Sequence, residues 1–371
     1  MSHDTTTAAA GLAPVTLRSL AHRIAGRFRI IRDGATDQSR AQRDAVTAFL
    51  VRVASAGLLY LSQIILARWM GGHEYGIYVF VWTWVLVLGG LSHLGLNLAA
   101  IRLVPEYRAK GQNDLLRGLL RGGRISTVAI STAIATGGMA ALIPLQPYID
   151  HHYVLPLYLG LVCLPLFTLT DVQDGIGRGF GWMSVALAPP YILRPLLLLV
   201  AMSLAYAAGL DMTATTAAGA AIAATWLTAI VQTIIVNRRI EKSVAAGERT
   251  YTFSAWFKFS FPLLVIGMAD IVTQNADVLV VSRYMSPADV GIYFAAAKTM
   301  SLIMFVHFAV GSAVAHRFSA LNASGDRAGL EAVVRDAVSW TVWPSLAGAG
   351  SAMAAELTEI LSAPVGGIGT G

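Results

Sequence analysis

Arg68-Trp-Met-Gly-Gly-His-Glu-Tyr-Gly-Ile-Tyr78 and Arg283-Tyr-Met-Ser-Pro-Ala-Asp-Val-Gly-Ile-Tyr293 decide how this chain is read. Arg68, Met70, Gly76, Ile77 and Tyr78 recur as Arg283, Met285, Gly291, Ile292 and Tyr293, while Trp69 becomes Tyr284 and Glu74 becomes Asp289. Every pair is 215 positions apart, and the same offset pairs Arg102 with Arg317. A repeat of this length in so apolar a chain points to a membrane protein built from two similar halves.

Composition agrees. The chain has 371 residues, 56% hydrophobic and only 13% charged, with a mean hydropathy of +0.62. Soluble domains carry about 25% charged residues, so a water-soluble fold is excluded. Apolar stretches of about 20 residues, long enough to cross the hydrocarbon core, recur along it. The single cysteine, Cys163, rules out a disulfide framework and a cysteine metal site. The net charge of +6 is spread over the links between apolar runs, so it points to topology rather than to nucleic acid. No signal peptide is expected, because the first long apolar run begins near Thr47 behind an Arg-rich segment. Residues 1–46 read as a basic cytoplasmic tail. Within it Leu17, Leu20, Ile24, Phe28 and Ile31 share a helical face flanked by Arg18, Arg27, Arg29 and Arg32. That segment is either an interfacial helix on an anionic membrane or a disordered tail.

Hydropathy predicts an all-α integral membrane fold with nine spans, at about 47–67, 76–99, 125–145, 153–172, 185–208, 213–236, 258–281, 290–315 and 337–356. The links after spans two, four, six and eight are basic. All of the 27 Lys and Arg residues fall on that side except Arg52, Arg68, Arg194, Arg283 and Lys298. The positive-inside rule then makes the amino terminus and the even-numbered links cytoplasmic. The two repeat copies lie six spans apart, so both face the same way. This predicts two parallel-repeat bundles related by a pseudo-two-fold axis along the membrane normal: a six-helix bundle over 47–257 and an incomplete one of about three helices over 258–371. A full second copy at the 215-residue spacing would run past Gly371. Either the chain is a truncated or frame-shifted product whose residues from about 350 are foreign to the fold, or it is a nine-helix protein.

Each repeat copy reads as a helix end, a tight outward turn and the next helix start. Gly71-Gly72 or Ser286-Pro287 supplies the turn, Glu74 or Asp289 complements the next helix dipole, and Tyr78 or Tyr293 suits the interface. The Ala-rich start of span six, Thr213 to Ala224, predicts close helix packing. Gly175-x-Gly-x-Gly reads as a loop rather than a nucleotide site, and no Walker A motif is present.

The run Ala54–Leu120, with Ile-Leu-Ala-Arg-Trp-Met-Gly at 65–71, Glu-Tyr-Gly-Ile-Tyr at 74–78 and Leu-Gly-Leu-Asn at 94–97 before Arg102, resembles the opening helices of polysaccharide and oligosaccharide flippases. These form part of the multidrug/oligosaccharidyl-lipid/polysaccharide exporter superfamily. Residues 262–321, with Pro262, Asp277, Gly291-Ile292-Tyr293, Ala295-Ala296-Ala297 and Phe318-Ser319, resemble the opening of that family's second half. The resemblance covers about 47–345 and departs at the carboxyl end, where members usually carry twelve or more helices. It implies a carrier, not an enzyme, that moves an undecaprenyl-diphosphate-linked oligosaccharide from the cytoplasmic to the periplasmic leaflet of a bacterial inner membrane. Its partners would be that lipid-linked oligosaccharide, membrane lipids and other glycan-assembly membrane proteins, with no nucleic acid and no cofactor. A cation-coupled drug exporter of the same superfamily and a non-functional remnant are the alternatives. A glycan polymerase or ligase would need a large outward loop, and none is expected.

Ionisable residues inside spans are the default site candidates. Arg52, Arg194 and Lys298 are cations suited to a diphosphate or an acidic sugar. Arg52 either lines a cavity or snorkels to the interface, and Arg194, after Pro189-Pro190 and before Pro195, sits on a kinked helix. Asp270 and Asp277, seven residues apart on one face, either pair with Arg194 or Lys298 or carry a coupling proton or Na⁺. Asp171 and Asp174 read as caps of a cytoplasmic loop. Gln63, His93, Asn97, Gln232, Gln274, Asn275 and His307 either line the cleft or bond between helices, and no metal-ligand spacing is found.

Overall fold

The computed structural model describes residues 37–300 and 327–362. The amphipathic segment before Asp37, His307, Arg317 and the Gly-rich end from 363 lie outside the described residues. The described elements are all helical: α1 (Asp37–Ser92), α2 (Leu96–Ala109), α3 (Asn113–Leu145), α4 (His151–Gly179), α5 (Met183–Ala188), α6 (Arg194–Ala207), α7 (Ala214–Ser243), α8 (Phe253–Tyr284), α9 beginning at 287, and α10 (Arg327–Ser362). Among the described residues, six helices are long and apolar enough to cross a membrane, beginning with Val53–Ser92. Large apolar side chains such as Phe261, Ile266 and Leu204 point outward. Lipid tolerates that arrangement and water does not.

The first repeat copy makes α1 two spans rather than one. Val53–Ser92 is 40 residues, about 60 Å at 1.5 Å per residue, twice the hydrocarbon thickness. Gly71, at φ 74° and ψ 163°, breaks it, a conformation essentially reserved for glycine. In the second copy α8 ends at Tyr284 and Met285 is extended. Ser286 and Asp289 then form a capping box for α9: Ser286 Oγ lies 2.6 Å from Asp289 Oδ2, the Ser286 amide donates to that oxygen at 3.3 Å, and the Asp289 amide donates to Ser286 Oγ at 3.4 Å. Both copies are therefore helix–turn–helix corners. Their acids differ in use. Glu74 Oε2 accepts the Ala214 amide at 2.7 Å, so it caps the start of α7, 140 residues away, instead of its own helix.

Several sequence boundaries shift. The second span does not run to 99; it stops at Ser92, and His93-Leu94-Gly95 turn into α2 through left-handed Leu94 (φ 49°) and Gly95 (φ 74°). The Gly95 amide donates to His93 Nδ1 at 3.2 Å, so His93 serves the turn. The third span begins at Asn113, not 125, and the fourth runs to Gly179, not 172. Hydropathy sees only the part of a helix in hydrocarbon, whereas the helices carry their arginines past it. Asp171 and Asp174 consequently lie inside α4 and are not loop caps. Asp174 pairs with Arg178 one turn on, Oδ1 receiving Nε at 2.9 Å and Oδ2 receiving Nη2 at 2.5 Å. Gly175, Gly177 and Gly179 are helical too, not a loop. A Cβ at Gly175 would stand 2.0 Å from the Asn97 carbonyl and one at Gly179 2.7 Å from the Ala100 carbonyl. The missing side chains let α2 lie directly on α4. Span five is interrupted by a π turn over Pro189–Leu193, where Pro190 lacks an amide for the α-helical ladder.

α4 is the axis of the first bundle, packed by α1, α2, α3 and α7. Ala214, Ala217, Ala218, Ala220, Ala221 and Ala224 are all buried, as the Ala-rich stretch predicts. α8 packs along α1 and α2. The two repeat copies meet at their glycines. A Cβ at Gly76 would lie 1.7 Å from the Pro287 carbonyl oxygen, and one at Gly291 2.6 Å from the Gly72 carbonyl oxygen. Positions 72 and 287, like 76 and 291, are repeat equivalents, so one contact is made twice in reciprocal form.

Candidate functional site

Beneath that crossing, a seam runs between α1 and the α8–α9 corner. A cavity of about 250 Å³ is lined by Tyr60, Gln63, Ile64, Ala67, Arg68, Ala295, Lys298 and Thr299. Tyr60 Oη approaches Thr299 Oγ1 at 3.5 Å across it. The Tyr75 hydroxyl donates to Gln63 Oε1 at 2.6 Å and its ring meets Phe294 edge-on at 6.3 Å. Lys298 Nζ lies 4.9 Å from the centroid of Phe294. On α8, Asp277 Oδ2 accepts the hydroxyl of Tyr293, the last residue of the second repeat, at 2.9 Å. Among the described residues, Asp277 Oδ1 is buried with no hydrogen-bond partner, and Lys298 lies within electrostatic range. An unsatisfied buried acceptor costs about 1–3 kcal/mol.

The depth of these groups follows from helix rise. Gln63 is eight residues before Gly71, Asp277 seven before Tyr284, and Lys298 eleven after Pro287. At 1.5 Å per residue they sit about 10–17 Å below the turns, near the middle of a core about 30 Å thick. A cation, a carboxylate and an amide at that depth can hold a charged head group and exchange partners with it.

The other expected residues fall elsewhere. Arg194, just after the π turn, is inside the first bundle rather than in the seam. Its guanidinium stands 5.7 Å from the Trp82 ring and 4.9 Å from the Phe167 ring, and these two rings meet edge-on at 5.8 Å. Among the described residues, its Nη1 is buried without a hydrogen bond, and Asp171 lies within electrostatic range. Asp277 therefore pairs within the α8–α9 corner and not with Arg194. Asp270 is exposed on α8, away from the Tyr293–Asp277 bond. Arg52 stands on α1 just before Val53, the first residue of the span, and its side chain lies outside the described residues. Asn275 Nδ2 donates to the Ile271 carbonyl at 2.8 Å and Gln63 bonds between the arms of α1, so these amides join backbone and helices. Gln232 is fully buried, and both its amide atoms are unpartnered among the described residues. Gln173, which sequence inspection passed over, is also fully buried and donates to Thr233 Oγ1 at 2.8 Å, tying α4 to α7.

Comparison with known proteins places this geometry. The MATE multidrug transporter DinF-BH, solved as a complex, superposes with a TM-score of 0.54 at 13% identity, over 89% of this chain and 76% of that one. A solved chain described as protein A superposes at 0.53 and 16% identity, over 76% of this chain and 65% of its own. At these identities the likeness is one of fold. Sporulation protein YkvU of Bacillus subtilis (strain 168) is 25% identical over 124 residues, 33% of this chain and 26% of that protein, so the match spans about a quarter of the relative's length. The polysaccharide biosynthesis protein model matches residues 42–321, from the first arm of α1 to beyond the second repeat. The chain is a multi-pass membrane protein with a transporter fold, and it belongs to the polysaccharide biosynthesis protein family.

Proposed function

We propose that the protein carries an undecaprenyl-diphosphate-linked oligosaccharide from the cytoplasmic to the periplasmic leaflet of the inner membrane, its amino terminus cytoplasmic, as a carrier and not an enzyme. The observation that carries the reading is the cavity between the two repeat copies, lined by Gln63 from one and Lys298 from the other, with Asp277 within electrostatic range of Lys298, in a chain of the polysaccharide biosynthesis family. A sugar–diphosphate head cannot cross hydrocarbon bare, because each unpaired polar group costs kilocalories. A polar seam open to one side at a time removes that cost while the prenyl tail stays in lipid. Lys298 supplies a point charge to the diphosphate. Head-group arrival draws the Lys298 charge away from Asp277, and a proton or cation on Asp277 Oδ1 balances the carboxylate. The reciprocal glycine crossing closes the seam on the outer side, and rocking the two copies apart there opens it.

The test is purified protein in liposomes loaded with the lipid-linked oligosaccharide, scored by access of an external glycan-modifying reagent. Lys298→Gln is expected to slow movement tenfold or more with insertion unchanged. Unaltered movement would remove Lys298 from the site. The fold shared with DinF-BH, together with the unpartnered Asp277 oxygen, favours a second reading, a cation-coupled drug exporter. Drug antiport without glycolipid movement in the same liposomes would establish that reading instead.

A further inference from the structure

We propose that a basic pocket where α3, α7 and the 244–252 linker meet binds the phosphate of an anionic glycerophospholipid. The inference is independent of the cargo. The pocket holds about 520 Å³, and Arg117, Arg121, Arg124 and Arg249 line it against one carboxylate, Glu241. Two of the four arginines are structural. Arg117 donates to the Glu248 carbonyl at 2.7 Å and to the Ala245 carbonyl at 3.1 Å, and Arg124 donates to the Leu120 carbonyl at 2.6 Å and to Asn237 Oδ1 at 2.5 Å. Arg121 and Arg249 make no such bond among the described residues and are left for a ligand. Asp114, which accepts the Thr250 hydroxyl at 3.0 Å, does not line the pocket. Guanidinium forks are the donors that phosphate oxygens prefer.

Depth and neighbours select a lipid over a soluble anion. The helical run Asn113–Tyr148 has 36 residues, about 54 Å, some 24 Å more than the hydrocarbon core. Its first turns therefore stand at head-group level. One turn deeper, Ile125 on α3 is 56% exposed, and Ile234 and Ile230 on α7 are 46% and 52% exposed. Phosphate at the arginines would thus lie directly under apolar surface for acyl chains, and basic pockets between spans at the membrane surface are used in this way. The linker joins the first bundle to α8 and is pressed onto α3. A Cβ at Gly118 would meet the Thr250 carbonyl at 1.8 Å, and one at Gly247 would meet Arg117 Nη2 at 2.9 Å. A lipid held by Arg249 fastens that linker, so lipid occupancy sets how firmly α8 is tied to the first bundle.

The experiment melts the purified full chain in an uncharged detergent with phosphatidylglycerol, phosphatidylcholine, undecaprenyl phosphate or inorganic phosphate, and counts retained lipids by native mass spectrometry. Phosphatidylglycerol is expected to raise the melting temperature and phosphatidylcholine is not. Arg121→Gln with Arg249→Gln should weaken phosphatidylglycerol binding about tenfold or more, leaving the lipid-free melting temperature unchanged because neither arginine hydrogen-bonds to the described residues. Equal phosphatidylglycerol retention by that variant would overturn the site. Full stabilisation by inorganic phosphate would overturn the lipid source. Displacement of phosphatidylglycerol by a hundredfold lower concentration of undecaprenyl phosphate would make the pocket a cargo entry and overturn the glycerophospholipid assignment.

Discussion

Gly76→Ala is the substitution that presses hardest on the meeting of the two repeats. The added Cβ would stand 1.7 Å from the Pro287 carbonyl oxygen, 2.7 Å from its carbon and 3.0 Å from the Gly291 amide nitrogen. Ordinary carbon–oxygen contact needs about 3.4 Å, so the α9 backbone must retreat by roughly 1.5 Å or α1 must rotate away. Neither is a side chain that can swing aside. Overpacking of this kind costs about 1–3 kcal/mol and sometimes more. Gly291→Ala should cost less, since its nearest neighbour is the Gly72 carbonyl at 2.6 Å. Gly57→Ala, with nothing within 4 Å, is the control and should be neutral or stabilising by about 0.5–1 kcal/mol, as for any exposed helical glycine. Thermal unfolding in detergent reads the series, at roughly 2–4 °C per kcal/mol for chains of 150–250 residues and less for a longer one. The expected order of melting temperature is Gly57→Ala highest, then Gly291→Ala, then Gly76→Ala. A Gly76→Ala protein as stable as the Gly57→Ala control would refute the crossing.

Gly175→Ala on α4, whose Cβ would lie 2.0 Å from the Asn97 carbonyl, should destabilise the first bundle by about 1–3 kcal/mol, read in the same melts. Arg194→Leu should cost about 2 kcal/mol or more by leaving Asp171 without its opposed charge and losing the guanidinium's contacts with the Trp82 and Phe167 rings; adding Asp171→Asn should restore at least half, and no restoration would deny the electrostatic coupling. Glu74→Ala should cost about 0.5–2 kcal/mol by uncapping α7 at the Ala214 amide, with faster hydrogen exchange at residues 214–217 as its signature.

Much of the fold was legible because hydropathy reports the hydrocarbon-spanning part of each helix directly. The turn chemistry of Gly71-Gly72 and Ser286-Pro287 and the close packing of Ala214–Ala224 were also readable, since each depends on local backbone or side-chain size. What escaped was long-range. Glu74 and Asp289 are repeat equivalents, yet one caps α7 and the other its own helix, a choice made by what packs alongside. Gly175 and Gly179 read as loop residues until α2 is laid against them. Helix ends were misplaced where Arg117, Arg121 and Arg124 continue a helix beyond the hydrocarbon. Of the expected site residues, Asp277 and Lys298 converge because the α8–α9 corner folds them together, whereas Arg194 is turned into the first bundle by a π turn that periodicity does not register.

The central claim is that the two repeat copies close the seam by touching, and a disulfide tests it. A Cβ at Gly72 would lie 3.8 Å from the Ala288 Cβ, the mean separation across a disulfide, and the single native cysteine, Cys163, is buried. Gly72→Cys with Ala288→Cys, oxidised in liposomes and verified by mass spectrometry of the linked peptides, should cross-link readily. It should stop lipid-linked oligosaccharide movement and regain it on reduction. Failure to cross-link, or cross-linked protein that moves its cargo at the wild-type rate, would contradict the account.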